Sequence, residues 1–170
     1  MQKAVYQGML GKPGNVDAAL RQLEEVKLLG IDGVELDAET IRPADEVQRL
    51  LAPNGKFRWS ELMRAARLKT TAVCDSLAAV KKSPYSEAKL CNDLGASVLT
   101  VSGPDSFVWF REESLYELCD DLNLMGETLR ACGVRLVYRT SNAELNRLNG
   151  TGERALSYML RMTDKSTLGF

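Results

Sequence analysis

A short junction that recurs along the chain constrains the fold more than any other feature of the sequence. Residues 30–37 read GIDGVELD, in which a leucine-rich helical pattern ends at a glycine and an apolar strand follows at once. Glycine suits a helix end because it enters the left-handed conformation without a steric clash at Cβ. The same order returns in LGASVLTV at residues 94–101 and in CGVRLVY at residues 132–138. The chain is therefore predicted to repeat one helix-to-strand unit.

Helical and strand patterns alternate along the whole chain. Apolar residues at three- and four-residue steps, with Pro43 beginning the second segment, predict helices over residues 16–29, 43–51, 60–68, 84–94, 112–131 and 153–162. Apolar and β-branched runs predict strands over residues 4–9, 33–36, 70–74, 97–101 and 134–138, with the start of a sixth at 167–170. Such alternation is typical of right-handed crossovers and a parallel sheet.

This pattern predicts an α/β fold in a single domain over residues 1–170. The form we expect is a partial (β/α) barrel of the TIM type, with about five βα units and the start of a sixth strand. An open doubly wound parallel sheet is the alternative. In the first helix we expect Asn15 to act as the N-terminal cap and Leu20, Leu23, Val26 and Leu28 to form the buried stripe.

Composition excludes several classes of partner. The 22 Lys and Arg residues are balanced by 23 Asp and Glu residues, so the chain lacks the basic excess of a nucleic-acid-binding protein. No long apolar segment indicates a signal peptide or a membrane span, and we expect a cytoplasmic protein. The cysteines lack C-x-x-C spacing and are predicted to be buried, reduced thiols. They are Cys74, Cys91, Cys119 and Cys132.

The sequence contains no histidine. Histidine is the commonest metal ligand and the usual general base near neutral pH. Any chemistry of this chain must therefore use carboxylates, Lys, Arg, Tyr, Cys or hydroxyl groups.

Polar residues at the predicted strand ends are the candidate site residues. Glu35, Asp37 and Asp75 lie where parallel β/α folds place their chemistry, although each carboxylate would also suit a turn or a helix cap. Arg139 would bind a phosphate or carboxylate through two parallel hydrogen bonds, or would pair with Glu35 or Asp75. Further candidates for the same face are Tyr6, Ser102 and Asn142. The apolar run FVWF at residues 107–110 is either a lid or partner patch, or packs beneath its own loop.

Three segments resemble one family. The junction LLGIDGVEL at residues 28–36 is similar to that of the sugar phosphate isomerase/epimerase superfamily, the xylose isomerase-like TIM barrels. LRACGVRLVY at residues 129–138 resembles the family's run into its fifth strand, and YMLRMTDKSTLGF at residues 158–170 resembles its run into the sixth. The resemblance implies the N-terminal part of an eight-stranded barrel with its site at the C-terminal strand ends.

The resemblance also implies a chemistry and shows where this chain departs from it. Family members hold a divalent metal (Mn, Mg, Zn or Co) through residues of strands five to eight and move a proton next to a carbonyl. Where many relatives carry two histidines, residues 138–144 of this chain read YRTSNAE. Arg139 stands at a ligand position, and its guanidinium cannot bind a cation. Glu144 alone keeps a ligand-type group there, so we expect no metal site and no metal cofactor in this chain.

These considerations give a set of functional predictions. We expect a sugar or sugar-phosphate isomerase/epimerase-like protein, truncated or degenerate, that lacks metal-dependent catalysis by itself. The alternatives are a non-catalytic sugar- or anion-binding protein and an oligomeric interaction protein that uses open sheet edges to bind a second copy or a complementary chain. The catalytic candidates are Glu35, Asp75 and Glu144. The substrate-binding candidates are Tyr6, Asp37, Ser102, Arg139 and Asn142.

Overall fold

The computed structural model describes residues 3–41, 59–104 and 106–170 of the 170-residue chain. These residues form two compact units. The first comprises the described residues up to Cys74 together with Cys91–Ser97, and the second comprises Asp75–Leu90 and the described residues of Val98–Phe170. The helix predicted over residues 43–51 lies outside the described residues. The expectation of a single domain stays a prediction.

Parallel strands form the centre of the first unit. In order along the chain they are β1 Ala4–Tyr6, β2 Gly33–Asp37 and β3 Lys69–Ser76, of which the last two residues belong to the second unit. The helices of this part of the chain are α1 Val16–Leu28, α2 Ala38–Ile41 and α3 Trp59–Ala65. Asn15 caps α1 as predicted, because its side-chain oxygen accepts a 2.8 Å hydrogen bond from the amide of Ala18.

The second unit repeats the same architecture. Its strands are β4 Val98–Ser102, β5 Arg135–Arg139 and β6 Leu168–Gly169. The helices that follow β3 are α4 Leu77–Lys82, α5 Pro84–Leu94, α6 Glu112–Ala131 and α7 Ala155–Met162. Strands β4 and β5 pair in parallel from Val98 opposite Arg135 to Ser102 opposite Arg139. A short 3₁₀ helix, Ala143–Leu145, follows β5.

Within each unit, strands that are neighbours in the sheet are also neighbours along the chain, and they run parallel. A doubly wound sheet would instead reverse its strand order at a switch point. The sequential order confirms the predicted α/β fold class and is that of a barrel wall.

Burial alternates along β5, whereas β3 and β4 contain continuous buried runs, Ala72–Asp75 and Leu99–Val101. In β5, Leu136 and Tyr138 are fully buried, whereas Val137 and Arg139 are only half-buried. Helix α6 contributes the stripe that its sequence predicted, and all five of these residues are buried: Leu115, Leu118, Leu122, Met125 and Leu129.

Several boundaries and one core residue differ from the predictions. Strand β1 ends at Tyr6, because Gln7–Leu10 forms a 3₁₀ helix rather than more strand. Leu28 was expected in the buried stripe of α1, and this prediction is wrong. Its side chain is 87% exposed, because it lies in the last turn on the outer face, whereas Leu23 and Val26 are buried.

Helix α4 was not predicted at all. It has only six residues and begins directly after β3, too short for an apolar periodicity to be visible. Ser76 is its N-terminal cap, with Oγ accepting a 3.2 Å hydrogen bond from the amide of Ala79. Ser83 ends α4, and its carbonyl accepts a 3.3 Å hydrogen bond from the amide of Glu87 in α5.

The helix-to-strand junctions share one backbone conformation. Gly30, Gly95 and Gly133 have φ of +74°, +73° and +78°, so the glycine interpretation is confirmed at all three. A fourth copy lies between α3 and β3, where Arg67 has φ of +57°. There the amide of Leu68 donates a 2.9 Å hydrogen bond to the carbonyl of Met63, the bond that closes a helix C-terminus.

The expected state of the cysteines is confirmed in large part. All four are free, and Cys74, Cys91 and Cys119 are buried, whereas Cys132 is only half-buried at the end of α6. In the parts of the chain that the structure describes, no helix combines the length and the apolar composition that a bilayer crossing requires.

Candidate functional site

Three of the predicted site residues lie in the first unit. Tyr6, the last residue of β1, is the register partner of Glu35 in β2, and both are half-buried. The hydroxyl of Tyr6 donates a long 3.4 Å hydrogen bond to Oδ1 of Asp37. The structure therefore brings Tyr6, Glu35 and Asp37 together at the C-terminal ends of two neighbouring strands.

Asp37 has a structural task at this position. Its Oδ2 accepts hydrogen bonds from the amide of Thr40 at 3.1 Å and from the hydroxyl of Thr40 at 2.6 Å. Its own amide donates to Oε1 of the buried Gln7 at 3.1 Å. These contacts cap helix α2, which is the turn-and-cap role left open for the acid by its sequence.

Asp75 and Ser76 form the exit of strand β3. The Asp75 side chain is buried, and its Oδ1 accepts a 2.6 Å hydrogen bond from the amide of Ser76. Ser76 then caps α4 through Ala79. Asp75 is thus held close to the backbone where the strand turns into the helix.

Glu144 lies in a buried polar cluster. Its Oε1 accepts a 2.8 Å hydrogen bond from the hydroxyl of Tyr138, and its Oε2 accepts from both the amide and the hydroxyl of Ser141, each at 2.8 Å. Glu144 is 1% exposed and Tyr138 is fully buried. Burial, followed by this hydrogen bond, raises the pKa of Tyr138 well above its usual range, so the phenol stays protonated and donates.

The residues present do not fit a divalent metal. Across residues 3–41, 59–104 and 106–170, no group of three or more Asp, Glu, Cys or His side chains is arranged to hold an ion. Both oxygens of Glu144 already accept hydrogen bonds from Tyr138 and Ser141, and Arg139 brings a positive charge to the same strand end. A cation would have to displace these donors and would gain a single carboxylate.

Ser102 and Arg139 are a second pair of predicted binding residues that the structure places side by side. They end strands β4 and β5 and are direct register partners. The Ser102 side chain is exposed and that of Arg139 is half-exposed. Asn142 lies on the exposed loop that follows, where its carbonyl accepts from the amide of Leu145 at 3.2 Å.

A cavity of 530 Å³ opens beside Ser102, entirely within the second unit. Its walls come from the ends of β3 and β4, from α4, from α6 and from the loop after β4. Among these residues the sequence pointed to Ser102 and to Phe107, the first residue of the apolar run at 107–110. Glu117, Leu118 and Asp121 are spaced so that they lie on one face of α6. That face could be recognised as a pocket wall only after α4, which forms another wall, had been found.

The floor of this second-unit pocket is built closely around Gly103. A Cβ at that position would collide with the hydroxyl of Tyr138 and would lie 2.8 Å from the Trp109 ring. Trp109 is 9% exposed, and Phe107 packs its ring edge-on against it with centroids 4.7 Å apart. Of the run at residues 107–110, Trp109 therefore packs beneath its own loop, as one of the two interpretations predicted, while Phe110 stays exposed.

Comparison with known proteins identifies this architecture. No protein-family model matches the chain, and no curated protein does so either. Solved structures do match. A sugar phosphate isomerase/epimerase from Parabacteroides distasonis has a TM-score of 0.79 at 12% identity, covering 98% of this chain and 66% of its own length.

Two further neighbours are described with bound metals. A xylose isomerase-like TIM barrel protein from Mycobacterium smegmatis in complex with magnesium has a TM-score of 0.63 at 14% identity, covering 99% of this chain and 63% of its own. The IolI protein with a bound zinc atom has a TM-score of 0.66 at 12% identity, covering 100% and 62%. This chain thus spans about two thirds of the length of these three structures. It has the fold of the sugar phosphate isomerase/epimerase and xylose isomerase-like TIM barrels, as its sequence predicted.

Proposed function

We propose that this chain is an isomerase/epimerase-like protein that binds a sugar phosphate at the C-terminal ends of β4 and β5. The observation that supports this proposal is the register pairing of Ser102 with Arg139. It places a hydroxyl and a guanidinium on adjacent strand ends, the edge at which β/α barrels bind their substrates.

The two side chains complement a phosphorylated sugar. A guanidinium presents a planar fork of donors that matches two phosphate oxygens at once. The serine hydroxyl both donates and accepts, which suits a sugar hydroxyl or a carbonyl oxygen. The names of the neighbouring structures, which include two sugar phosphate isomerase/epimerases, support the same substrate class.

We infer that the chain by itself binds without metal-dependent catalysis. The carboxylates that would be needed have other partners, because Asp37 caps a helix and Glu144 accepts from Tyr138 and Ser141. Isomerisation or epimerisation through a divalent ion would need ligands that the described residues do not assemble.

Calorimetric titration with fructose 6-phosphate, fructose and inorganic phosphate tests the binding site. We expect the sugar phosphate to bind most tightly and Arg139→Gln to weaken its binding about tenfold or more, the usual loss for a charged hydrogen bond. Arg135→Gln is the matched control, since Arg135 lies on the same face at the other end of β5 and is exposed. Equal affinities in both variants would contradict the proposal.

Catalysis is tested separately. The chain is incubated with the sugar phosphate in D₂O, with and without added Mn²⁺, and deuterium at the carbon next to the carbonyl is followed by NMR. We expect no enzyme-dependent exchange in either case. Exchange that requires Mn²⁺ would overturn the inference that the chain lacks metal-dependent catalysis.

Self-association is a second candidate, favoured by the second edge of strand β6. Leu168–Gly169 pairs with β5, and its other edge has no partner among the strands that the structure describes. Exposed strand edges invite pairing with another chain. We propose a homo-oligomer formed through this edge, and light scattering that gives the monomer mass at every concentration would contradict it.

A further inference from the structure

We propose that the second-unit pocket binds a small primary amine that carries an aromatic ring, at a site that shares Ser102 with the proposed sugar phosphate site. This inference goes beyond the proposed function. Of the residues assigned to sugar phosphate binding, the pocket includes Ser102 but neither Arg139 nor Asn142. Its ligand is the opposite in charge to a sugar phosphate.

The size and walls of the pocket suit a ring. Its volume of 530 Å³ lies within the usual range for ligand sites, roughly 300 to 1,000 Å³. Apolar side chains form most of the wall: Leu77, Ala78, Pro104, Phe107 and Leu118. A sugar would place its hydroxyl groups against these carbons and would leave them without hydrogen-bond partners.

The aromatic wall is already in place before any ligand binds. Phe107 is half-buried, and its ring is held edge-on by the buried Trp109 at 4.7 Å. Trp109 in turn lies directly behind Gly103, whose missing side chain lets the ring and the Tyr138 hydroxyl approach. A ring that enters the pocket meets a fixed aromatic surface, and such pairs gain energy beyond simple burial.

The charged residues at the pocket indicate the sign of the charge that its ligand should carry. Among the residues that the structure describes, the ionisable ones in the pocket lining are Lys81, Glu117 and Asp121. Lys81 and Asp121 form an ion pair with each other. The Glu117 side chain makes no ion pair or hydrogen bond with any described residue, so the described lining carries one unpaired carboxylate. An ammonium group complements that charge, whereas a phosphate or carboxylate would be repelled.

The serines at the pocket complete the match. Ser76, Ser102 and Ser114 bring hydroxyl oxygens to a lining that is otherwise apolar apart from the three charged residues. An ammonium has three donors and no acceptor, so it uses a carboxylate and hydroxyl oxygens together. The arrangement therefore fits an ammonium at the polar side and a ring at the apolar side.

NMR titration of the backbone amides with three probes of equal shape tests the proposal. Phenethylamine is cationic, phenethyl alcohol is neutral and hydrocinnamate is anionic. We expect phenethylamine to bind with a roughly millimolar dissociation constant, as is usual for so small a ligand, and to shift the amides of Ser102, Gly103 and Leu118. The alcohol should bind more weakly and hydrocinnamate should not bind.

Two variants locate the contacts. Glu117→Gln should weaken phenethylamine binding about threefold to fivefold, the range of an exposed ion pair, and should bring it close to the alcohol. Glu127→Gln, an exposed position on α6 outside the pocket, is the matched control and should change nothing. Ala78→Phe should fill the cavity and abolish binding of both probes, with circular dichroism confirming that the variant is folded.

The proposal is overturned by any of three results. The first is that phenethylamine leaves the amides of the lining residues unshifted. The second is that hydrocinnamate binds as tightly as the amine. The third is that Glu117→Gln and Glu127→Gln bind phenethylamine equally well. None of these results bears on Arg139, so the site and the proposed sugar phosphate function fail or stand independently.

Discussion

The hydroxyl of Tyr138 donates a 2.8 Å hydrogen bond to Glu144, and both side chains are removed from solvent. Tyr138 is a core residue one position before the end of β5, and Glu144 belongs to the 3₁₀ helix that follows. Their bond, with those from Ser141, fixes the path of the loop after β5. A carboxylate that resembles a remnant metal ligand in the sequence is thus a structural acceptor.

We expect Tyr138→Phe to lower the free energy of unfolding by about 1–3 kcal/mol, because it leaves a buried carboxylate oxygen without its donor. Urea denaturation measures this loss. Combining Tyr138→Phe with Glu144→Gln should cost less than the sum of the two single changes, since the pair is coupled. Strict additivity would show that the bond contributes nothing to stability.

Alkaline pH should destabilise the protein through Cys119. Burial raises the pKa of this thiol from 9.0 to about 11, although the nearby Arg161 acts in the opposite direction. The folded state therefore keeps a proton that the unfolded state releases, so this contribution to stability is complete below pH 9.0 and is lost as pH rises toward about 11.

Urea denaturation across this pH range, compared between the parent chain and Cys119→Ala, checks the thiol's contribution. The variant should lose less stability with rising pH, because it removes a group that titrates between the two states. Cys132→Ala, at a half-buried position, serves as the control. A parallel pH dependence in the parent and Cys119→Ala would contradict the assignment.

Arg67→Gly should stabilise the chain. Arg67 adopts φ of +57° at a helix end, where a residue with a Cβ pays about 1–2 kcal/mol and glycine does not. Part of that gain is offset by the greater freedom of glycine in the unfolded chain. We expect a net rise in the free energy of unfolding of about 0.5–1 kcal/mol, measured by urea denaturation.

The reverse change provides the comparison for Arg67. Gly133→Ala places a Cβ at φ of +78° with nothing within 4 Å, so it tests conformation without a clash. It should destabilise by about 1 kcal/mol. If Arg67→Gly and Gly133→Ala change stability in the same direction, the shared junction geometry is not what determines it.

Gly103→Ala should distort the second-unit pocket. The new methyl group would meet the Tyr138 hydroxyl and the Trp109 ring, and overpacking of this kind costs about 1–3 kcal/mol. We also expect the fluorescence of Trp109 to change. An unchanged emission spectrum together with unchanged stability would mean that the loop after β4 yields without cost.

The recurring glycine junctions predicted the fold because each of them marks the end of a helix and the start of the next strand. The glycine pattern did not reveal the fourth junction, at Arg67, because the residue with positive φ there is not a glycine. The surrounding fold imposes its conformation. The pattern also missed α4, whose six residues are determined by the Ser76 cap at the end of a strand. Signals that depend on one residue type fail when tertiary structure supplies the constraint instead.

The sequence predicted where the candidate site residues lie better than it predicted what their side chains do. The pairing of Ser102 with Arg139 follows from strand ends that share an edge, which the alternation of elements predicts. The tasks of Asp37 and Glu144 depend on partners at Thr40, Gln7 and Tyr138 that only the folded chain identifies. A strand-end acid looks the same in sequence whether it meets a substrate or caps a helix.

The close approach at Gly103 also makes two distant positions depend on each other. Alanine at position 103 is obstructed most by the phenolic oxygen of Tyr138, which a phenylalanine lacks. A chain that had already exchanged Tyr138 for phenylalanine would therefore accept alanine at position 103 more readily than this chain does. The cost of alanine at position 103 would depend on the residue at position 138, so the pocket floor and the Glu144 cluster are expected to evolve together.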